Sequence, residues 1–315
     1  MATALIGSWS IDRSQPPSKS SVFEIIDDNV PRAPGGTKEA GRECRVTTGR
    51  SVQRLLITGA AGGVGTLMRV RLARAGRVLR LLDVTPVPAA TQGEAVEIVQ
   101  ASVTDLDGMT EACAAVDAVI HLGALACERP WEQILEVNIH GTRTVFEAAR
   151  WAGVPRVVFA SSNHAVGFEP KNGGQVGDYL YPRPDTLYGV SKAAGEALGS
   201  LYHDRYGLDV VCLRIGSCTE VPSTARALST WLSPDDCARL LEAALACERP
   251  GFVVAWGVSA NTRRWWSLEE AERIGYRPHD DAEVFAAEVE QLTSEYDERY
   301  LGGPYCSPTV DGYVS

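Results

Sequence analysis

The chain has 315 residues, 45% hydrophobic and 22% charged, a composition ordinary for a globular protein that buries a sizeable core. Thirty basic residues against 40 acidic ones leave a formal net charge of −10, which weighs against nucleic acid or an anionic membrane as the main partner. No apolar run of about 18 residues occurs, so no membrane span is expected and the location expected is cytoplasmic. The eight cysteines are scattered, without a CxxC pair or a Cys/His grouping of metal spacing. They are expected to be reduced, with Cys113, Cys212 and Cys237 acting as small core hydrophobes.

Residues 1–50 are rich in Ser, Pro, Gly and mixed charge (SQPPSKSS, PRAPGGTKEAGRE) and lack apolar periodicity, which predicts a disordered N-terminal extension. From residue 51 the pattern alternates. VQRLLITG reads as a strand ending in glycine, and GVGTLMRVRLARAG as a helix closed by Gly76. VLRLLD and AVEIV are the next strands, followed by a helix over 105–115. DAVIHLGA is a fourth strand, before a long helix from Trp131 to Trp151. RVVFASS is a fifth strand. A Gly/Pro/Asp-rich loop leads to a helix starting near Leu187, and LDVVCLRIG is a sixth strand. This order predicts an α/β fold, a Rossmann-type doubly wound parallel sheet. The expected division is a dinucleotide-binding domain over 51–215 and a small substrate-binding region over 216–315 that partly returns to the sheet. Ser233-Pro234-Asp235-Asp236 reads as a helix start, with a Ser cap, Pro at the first position and acids in the first turn. Trp256, Trp265 and Trp266 read as packing residues.

Two motifs carry chemistry. The turn Thr58-Gly59-Ala60-Ala61-Gly62-Gly63-Val64-Gly65 joins the first strand to the first helix. Gly59 suits a tight turn, Gly62 a close approach of backbone to a pyrophosphate, and Gly65 close helix–sheet packing. The amides at the helix start, through Gly63 and Val64, then face the phosphates. Asp83 ends the second strand, near the separation expected of the acid that binds the adenosine ribose hydroxyls, which favours NAD over NADP. Leu122 and Gly123 follow the fourth strand, where the cofactor passes. The second motif is Tyr188-Gly189-Val190-Ser191-Lys192. Positions i and i+4 share a helix face, so an ammonium can stand beside a phenol. Ten tyrosines and four lysines in 315 residues give 10 × 4/315, about 0.13 such pairs by accident. A free phenol has a pKa near 10, and Lys192 together with an oxidised nicotinamide is expected to lower it. Ser161 and Ser162 end strand five, at the ligand-binding edge of an open sheet. Asn138 is placed to bond a backbone carbonyl or a water leading to Lys192. These spacings alone reach an NAD-linked redox or epimerase fold.

These residues resemble the extended short-chain dehydrogenase/reductase superfamily. FASSNHAVGFEP (159–170), RPDTLYGVSK (183–192), RIGSCTEVPSTARALSTWLSPDDCARL (214–240) and SANTRRWW (259–266) are similar to NAD-dependent uronate dehydrogenases. That resemblance implies oxidation of C1 of glucuronate or galacturonate to an aldarolactone, with Ser162, Tyr188 and Lys192 as the catalytic triad. It also implies substrate contacts at Ser162, Asn163, His164, Ser217 and Arg226, the last because a guanidinium fork suits a sugar carboxylate. Subunits of this superfamily usually pair through helices, so a homo-oligomer is expected. Three positions depart from the family pattern. Ala126 stands where a substrate-touching serine is usual, Ser102 where an acid usually reaches the adenine, and Ser267 where an acid is common after the tryptophan pair. Two rivals stand beside this reading: a nucleotide-sugar epimerase or dehydratase, and an NAD-binding sensor or scaffold without turnover.

Overall fold

The computed structural model describes residues 53–171, 173–289 and 294–310. The expectation for residues 1–50 lies outside them. Seven strands form one fully parallel sheet: β1 (Arg54–Thr58), β2 (Val78–Asp83), β3 (Val96–Gln100), β4 (Ala118–His121), β5 (Arg156–Ser162), β6 (Asp209–Ile215) and β9 (Phe252–Gly257), in the order β3-β2-β1-β4-β5-β6-β9. Two short strands, β7 (Ser217–Cys218) and β8 (Trp231–Leu232), pair separately. The chain winds outward from β1 in one direction and from β4 in the other, so the crevice beyond their carboxyl ends is the switch point where such sheets bind ligands.

The strands read as continuous apolar runs because helices cover both faces. Alternate residues serve opposite cores. Leu55, Ile57, Ala118, Ile120, Val211 and Leu213 pack on one face, and Leu56, Val119, Val210 and Cys212 on the other. The first face is closed by α1 (Gly63–Arg71) and α7 (Pro234–Ala246), and the second by α2 (Leu106–Ala112), α4 (Gly141–Trp151) and α5 (Leu187–Tyr206). At about 1.5–3 kcal/mol for each large aliphatic side chain removed from water, these paired faces supply the main force ordering the sheet. β3 is one of the two edge strands and is half exposed.

Local signals account for most helix ends. Asp105 caps α2 by accepting from the Gly108 amide at 3.1 Å, Thr186 caps α5 from Gly189 at 3.0 Å, and Gly207 closes α5 with φ +72°. The predicted start at Ser233 is present, its hydroxyl accepting from the Asp236 amide with Pro234 at the first position. Two elements differ from expectation. The first helix stops at Arg71 rather than reaching Gly76, and the Leu72 carbonyl accepts from the buried Arg77 guanidinium at 3.1 Å instead of continuing the ladder. The long helix is interrupted: α3 (Trp131–Gln133) gives way to a π-helical stretch (Ile134–His140) before α4. The remaining helices are α6 (Ala227–Thr230), α8 (Glu269–Arg273) and α9 (Glu295–Arg299). Trp256 and Trp266 are fully buried and stacked, with ring centroids 4.6 Å apart. Cys113, Cys127, Cys212, Cys218, Cys237 and Cys306 are free thiols, whereas Cys247 is disulfide-bonded, which departs from the uniformly reduced state expected.

Candidate active site

A cavity of about 680 Å³ opens over the carboxyl ends of the central strands. The glycine turn forms one wall. Gly59 has φ +70°, a conformation that favours glycine, and a side chain there would strike the Gly123 amide at 2.7 Å. A Cβ on Gly65 would sit 2.3 Å from the Gly59 carbonyl oxygen, so α1 lies directly on the turn. Gly62 is the N-cap of α1 and carries no capping side chain, which leaves the first amides of the helix turned to the cavity that Gly62, Gly63, Val64 and Gly65 line. Asp83 lines the same cavity. Its two oxygens accept from the Ala61 amide at 3.0 Å and the Thr85 amide at 2.9 Å, so it ties the glycine turn to the end of β2 while facing the opening. Leu122 and Gly123 lie opposite, and Gly123 donates its amide to Thr58 Oγ1. Helix-end amides and a carboxylate acceptor are the set that a pyrophosphate and a ribose diol need, so these residues fit a dinucleotide.

At the other end of the cavity stand Ser162, Tyr188 and Lys192. Thr186 starts α5 so that Tyr188 and Lys192 fall in its first two turns, on its buried face. Burial pushes the Tyr188 phenol up to about 12, against the lowering influence of the neighbouring Ser162 hydroxyl, which itself accepts from the His164 amide at 3.2 Å. Lys192 donates from Nζ to the Ala160 carbonyl at 2.7 Å and lies 5.4 Å from the Tyr188 ring centroid. Burial draws the ammonium down to about 8. The lowered phenol pKa expected from the lysine is therefore not a property of the protein alone. Desolvation dominates, and the lysine's hydrogen bond goes to the main chain.

Asn138 bonds a backbone carbonyl, the first of the two partners expected of it. Its side chain accepts from the Leu125 amide at 2.8 Å and donates to the Leu125 carbonyl at 3.0 Å and to Ser191 Oγ at 3.1 Å. It sits inside the π-helical stretch, the kind of local widening that often marks functional sites, and pins the loop carrying Leu122–Ala126 to α5. Ala126 and Ser102, two of the positions that depart from the family pattern, both line the cavity. Ser267 is buried and accepts from the Glu269 amide at 2.9 Å.

Of the five expected substrate contacts, Ser162 lines the cavity and the other four do not. Ser217 is half-buried, its hydroxyl 3.3 Å from Thr230 Oγ1, while its neighbours Gly216 and Cys218 line the wall. Asn163 is buried and donates to the Leu301 carbonyl at 3.3 Å. His164 Nδ1 is 2.7 Å from Asp185 Oδ2, with its ring 5.9 Å from that of Tyr188 and 4.4 Å from that of Tyr305. Arg226 donates to the Leu301 carbonyl and lies 5.7 Å from the Trp265 ring. Trp265 itself packs against the core, as expected.

Sequence reasoning missed Glu128, a buried acid whose Oε2 accepts from the Tyr188 amide at 2.9 Å and whose Oε1 accepts from the Leu187 amide at 3.1 Å. It also missed the buried Glu196–Arg214 pair. Arg214 binds both carboxylate oxygens at 2.8 and 2.7 Å, and Ser161 Oγ donates to Glu196 Oε1 at 2.6 Å. No local spacing announces either, because Glu128 is 60 residues from Tyr188 in sequence.

A doubly wound parallel sheet, a glycine turn at its switch point and a Ser/Tyr/Lys cluster across the cavity define an NAD-linked enzyme of the extended short-chain dehydrogenase/reductase type. The NAD dependent epimerase/dehydratase family matches residues 55–219. A uronate dehydrogenase of Pseudomonas syringae pv. tomato is 42% identical over 82% of this chain and 95% of its own length. The crystal structure of Agrobacterium tumefaciens uronate dehydrogenase, a tyrosine-to-alanine mutant complexed with NAD, superposes with a TM-score of 0.76. It is 42% identical and covers 81% of this chain and 97% of that one. An NAD-dependent glucose-6-phosphate dehydrogenase of Haloferax volcanii is 38% identical over 76% of this chain and 98% of its own length. The chain belongs to the NAD dependent epimerase/dehydratase family, and within it to the group of the uronate dehydrogenases. It is an oxidoreductase whose cofactor is NAD. Among the described residues no helix is long and apolar enough to cross a membrane.

Proposed function

We propose that the protein oxidises the C1 hydroxyl of a hexuronic acid, glucuronate or galacturonate, to the aldarolactone. The observation that carries this reading is the meeting of Ser162, Tyr188 and Lys192 at one end of a cavity whose other end is the glycine turn. The likeness to uronate dehydrogenases supports the substrate class.

Gly59, Gly62, Gly63, Val64, Gly65, Asp83, Leu122 and Gly123 hold NAD in this account, with Tyr188 and Lys192 near its nicotinamide ribose. NAD, when bound, supplies the cationic ring that accepts a hydride. Tyr188 takes the proton of the C1 hydroxyl, and Ser162, beside it on the cavity wall, holds the same oxygen. The phenol needs its pKa lowered for this, and a second positive charge in a closed cleft works in that direction beside Lys192. Positioned proton removal contributes roughly 10²–10⁴-fold, and holding both reactants in one cleft contributes further. Arg226 anchors the sugar carboxylate, with Ser217, Asn163 and His164 around the ring.

The test is NADH formation from NAD and a panel of uronates and neutral aldoses. Uronates turn over with net NADH release, which an epimerase that retains its cofactor does not give. Tyr188→Phe removes nearly all turnover and keeps NADH binding. Wild-type activity in that variant overturns the base assignment. Cytoplasmic location and subunit pairing belong to the same proposal. Pairing is supported by the exposed Trp151 on α4 and Leu201 and Tyr206 on α5, and light scattering checks it.

A further inference from the structure

One stretch of chain, residues 294–306, covers three of the five expected substrate contacts. The Leu301 carbonyl accepts from both Asn163 and Arg226, and Tyr305 lies against His164. The stretch is held down through the Leu301 amide to the Glu169 carbonyl at 3.0 Å and the Gly302 amide to the Gly167 carbonyl at 2.8 Å. It brings one carboxylate to the guanidinium. Asp297, in α9, has its Oδ1 3.8 Å from Arg226 Nη1, and the two side chains are 11% and 14% exposed. That separation is too long for a hydrogen bond. Both atoms are buried, and neither has a hydrogen-bond partner. Gly303 walls the gap: a Cβ there would fall 2.6 Å from Asp297 Oδ1 and 2.9 Å from Arg226 Nη1. A second cation stands alongside. Lys171 Nζ donates to the Asp297 main-chain carbonyl and lies 3.7 Å from the centroid of the Trp265 ring.

We propose that Asp297 sets the specificity of the anion subsite. It is an internal carboxylate that neutralises Arg226 in the free protein and competes with the substrate's carboxylate for the guanidinium. This rests on the reading of Arg226 as the uronate anchor. A guanidinium this far from water is costly without a counter-charge, so the free protein keeps one close. The pair is nevertheless incomplete. Nη1 lacks an acceptor, and an incoming carboxylate supplies one, together with the parallel two-bond geometry that Arg favours. Two carboxylates on one guanidinium repel, so uronate binding must weaken the Asp297 pair. A neutral aldose leaves that pair intact. Asp297 therefore raises the KM of acidic sugars without acting on neutral ones.

The other carboxylate oxygen of Asp297 caps its own helix, accepting from the Ser294 amide at 3.1 Å and the Ser294 hydroxyl at 2.9 Å. A merely structural residue would change stability and leave the ratio of sugars alone. Asp297→Asn keeps an oxygen for that cap and removes the charge. In the full chain with NAD, the expected result is a uronate KM about fivefold lower, with kcat and the kinetics of a neutral aldose unchanged. Fivefold corresponds to about 1 kcal/mol. Uronate added with NADH also raises the Tm of the variant more than that of the wild type. Asp297→Ser repeats both readouts if the first variant folds poorly. A uronate KM that is unchanged or higher, or one that falls equally for neutral aldoses, overturns the proposal. Arg226→Ala separates the two levels of argument. If it impairs uronates and neutral aldoses alike, the anchor reading fails and this inference falls with it. If it impairs uronates selectively while Asp297→Asn changes nothing, only the inference fails.

Discussion

Gly65 and Gly63 are two residues apart in the same helical turn, yet the structure assigns them opposite tolerances. A Cβ on Gly65 meets the Gly59 carbonyl oxygen at 2.3 Å, Ala60 Cα at 2.7 Å and the Ala60 carbonyl carbon at 2.9 Å, all of them main-chain atoms that cannot swing aside. A Cβ on Gly63 meets nothing within 4 Å. Gly65→Ala must push α1 off the glycine turn. Forcing one carbon into packed surroundings costs about 1–3 kcal/mol. At roughly 2–4 °C per kcal/mol for a domain of this size, that is a fall in Tm of roughly 2–12 °C. Gly63→Ala leaves Tm unchanged or slightly higher, because alanine is the better helix former. Its methyl projects where the cofactor phosphates are expected, so the NAD KM rises although the fold is intact. Thermal unfolding of the two variants, paired with NAD titrations, separates packing from ligand contact. The reasoning is refuted if Gly65→Ala unfolds at the wild-type temperature, or if Gly63→Ala loses as much stability as Gly65→Ala.

Glu128→Ala frees the amides of Leu187 and Tyr188 at a buried helix start, which costs about 1–3 kcal/mol for each group left unsatisfied. The expected result is a lower Tm and a reduced kcat with the NAD KM unchanged, since Glu128 supports the tyrosine and not the glycine turn; an unchanged kcat removes that positioning role. Burial holds the Tyr188 phenol at about 12, above the ordinary value near 10, so it stays protonated as pH rises through 10 in the free protein. The phenolate absorbance difference between the wild type and Tyr188→Phe is accordingly flat through neutral pH and appears at lower pH once NAD is added. A phenolate signal at neutral pH without NAD contradicts the dominance of desolvation.

The parts of the fold legible in the sequence are those written in local patterns. Apolar runs ending in glycine marked the strands, and caps such as Ser233 and Thr186 sit where short polar residues precede helical periodicity. The end of α1 was not legible. It depends on Arg77 reaching back to the Leu72 carbonyl, a contact made only when the chain is folded. The π-helical turn was not legible either, because it is associated with Asn138 bonding both main-chain groups of Leu125, 13 residues away in sequence. The same division runs through the site. The glycine turn, Asp83 and the Tyr188/Lys192 spacing are local motifs, and the structure gathers them around one cavity. Glu128, the Glu196–Arg214 pair and the stretch over Arg226 are brought in from distant segments. Arg226 itself was one arginine among many until family likeness singled it out, and nothing in its own neighbourhood foretold that residues 294–306 would fold over it.

The Tyr188 position, a sugar acid and the cofactor are expected to meet at one edge of the sheet, and a crystal structure of Tyr188→Phe with NAD and galacturonate will show whether they do. The expected arrangement has the anomeric carbon of the sugar against residue 188 and Ser162, at the roughly 3–3.5 Å separation from its hydride acceptor that reacting groups need, with the sugar carboxylate on Arg226. A sugar bound with its anomeric carbon turned away from residue 188, or its carboxylate held elsewhere, would contradict it.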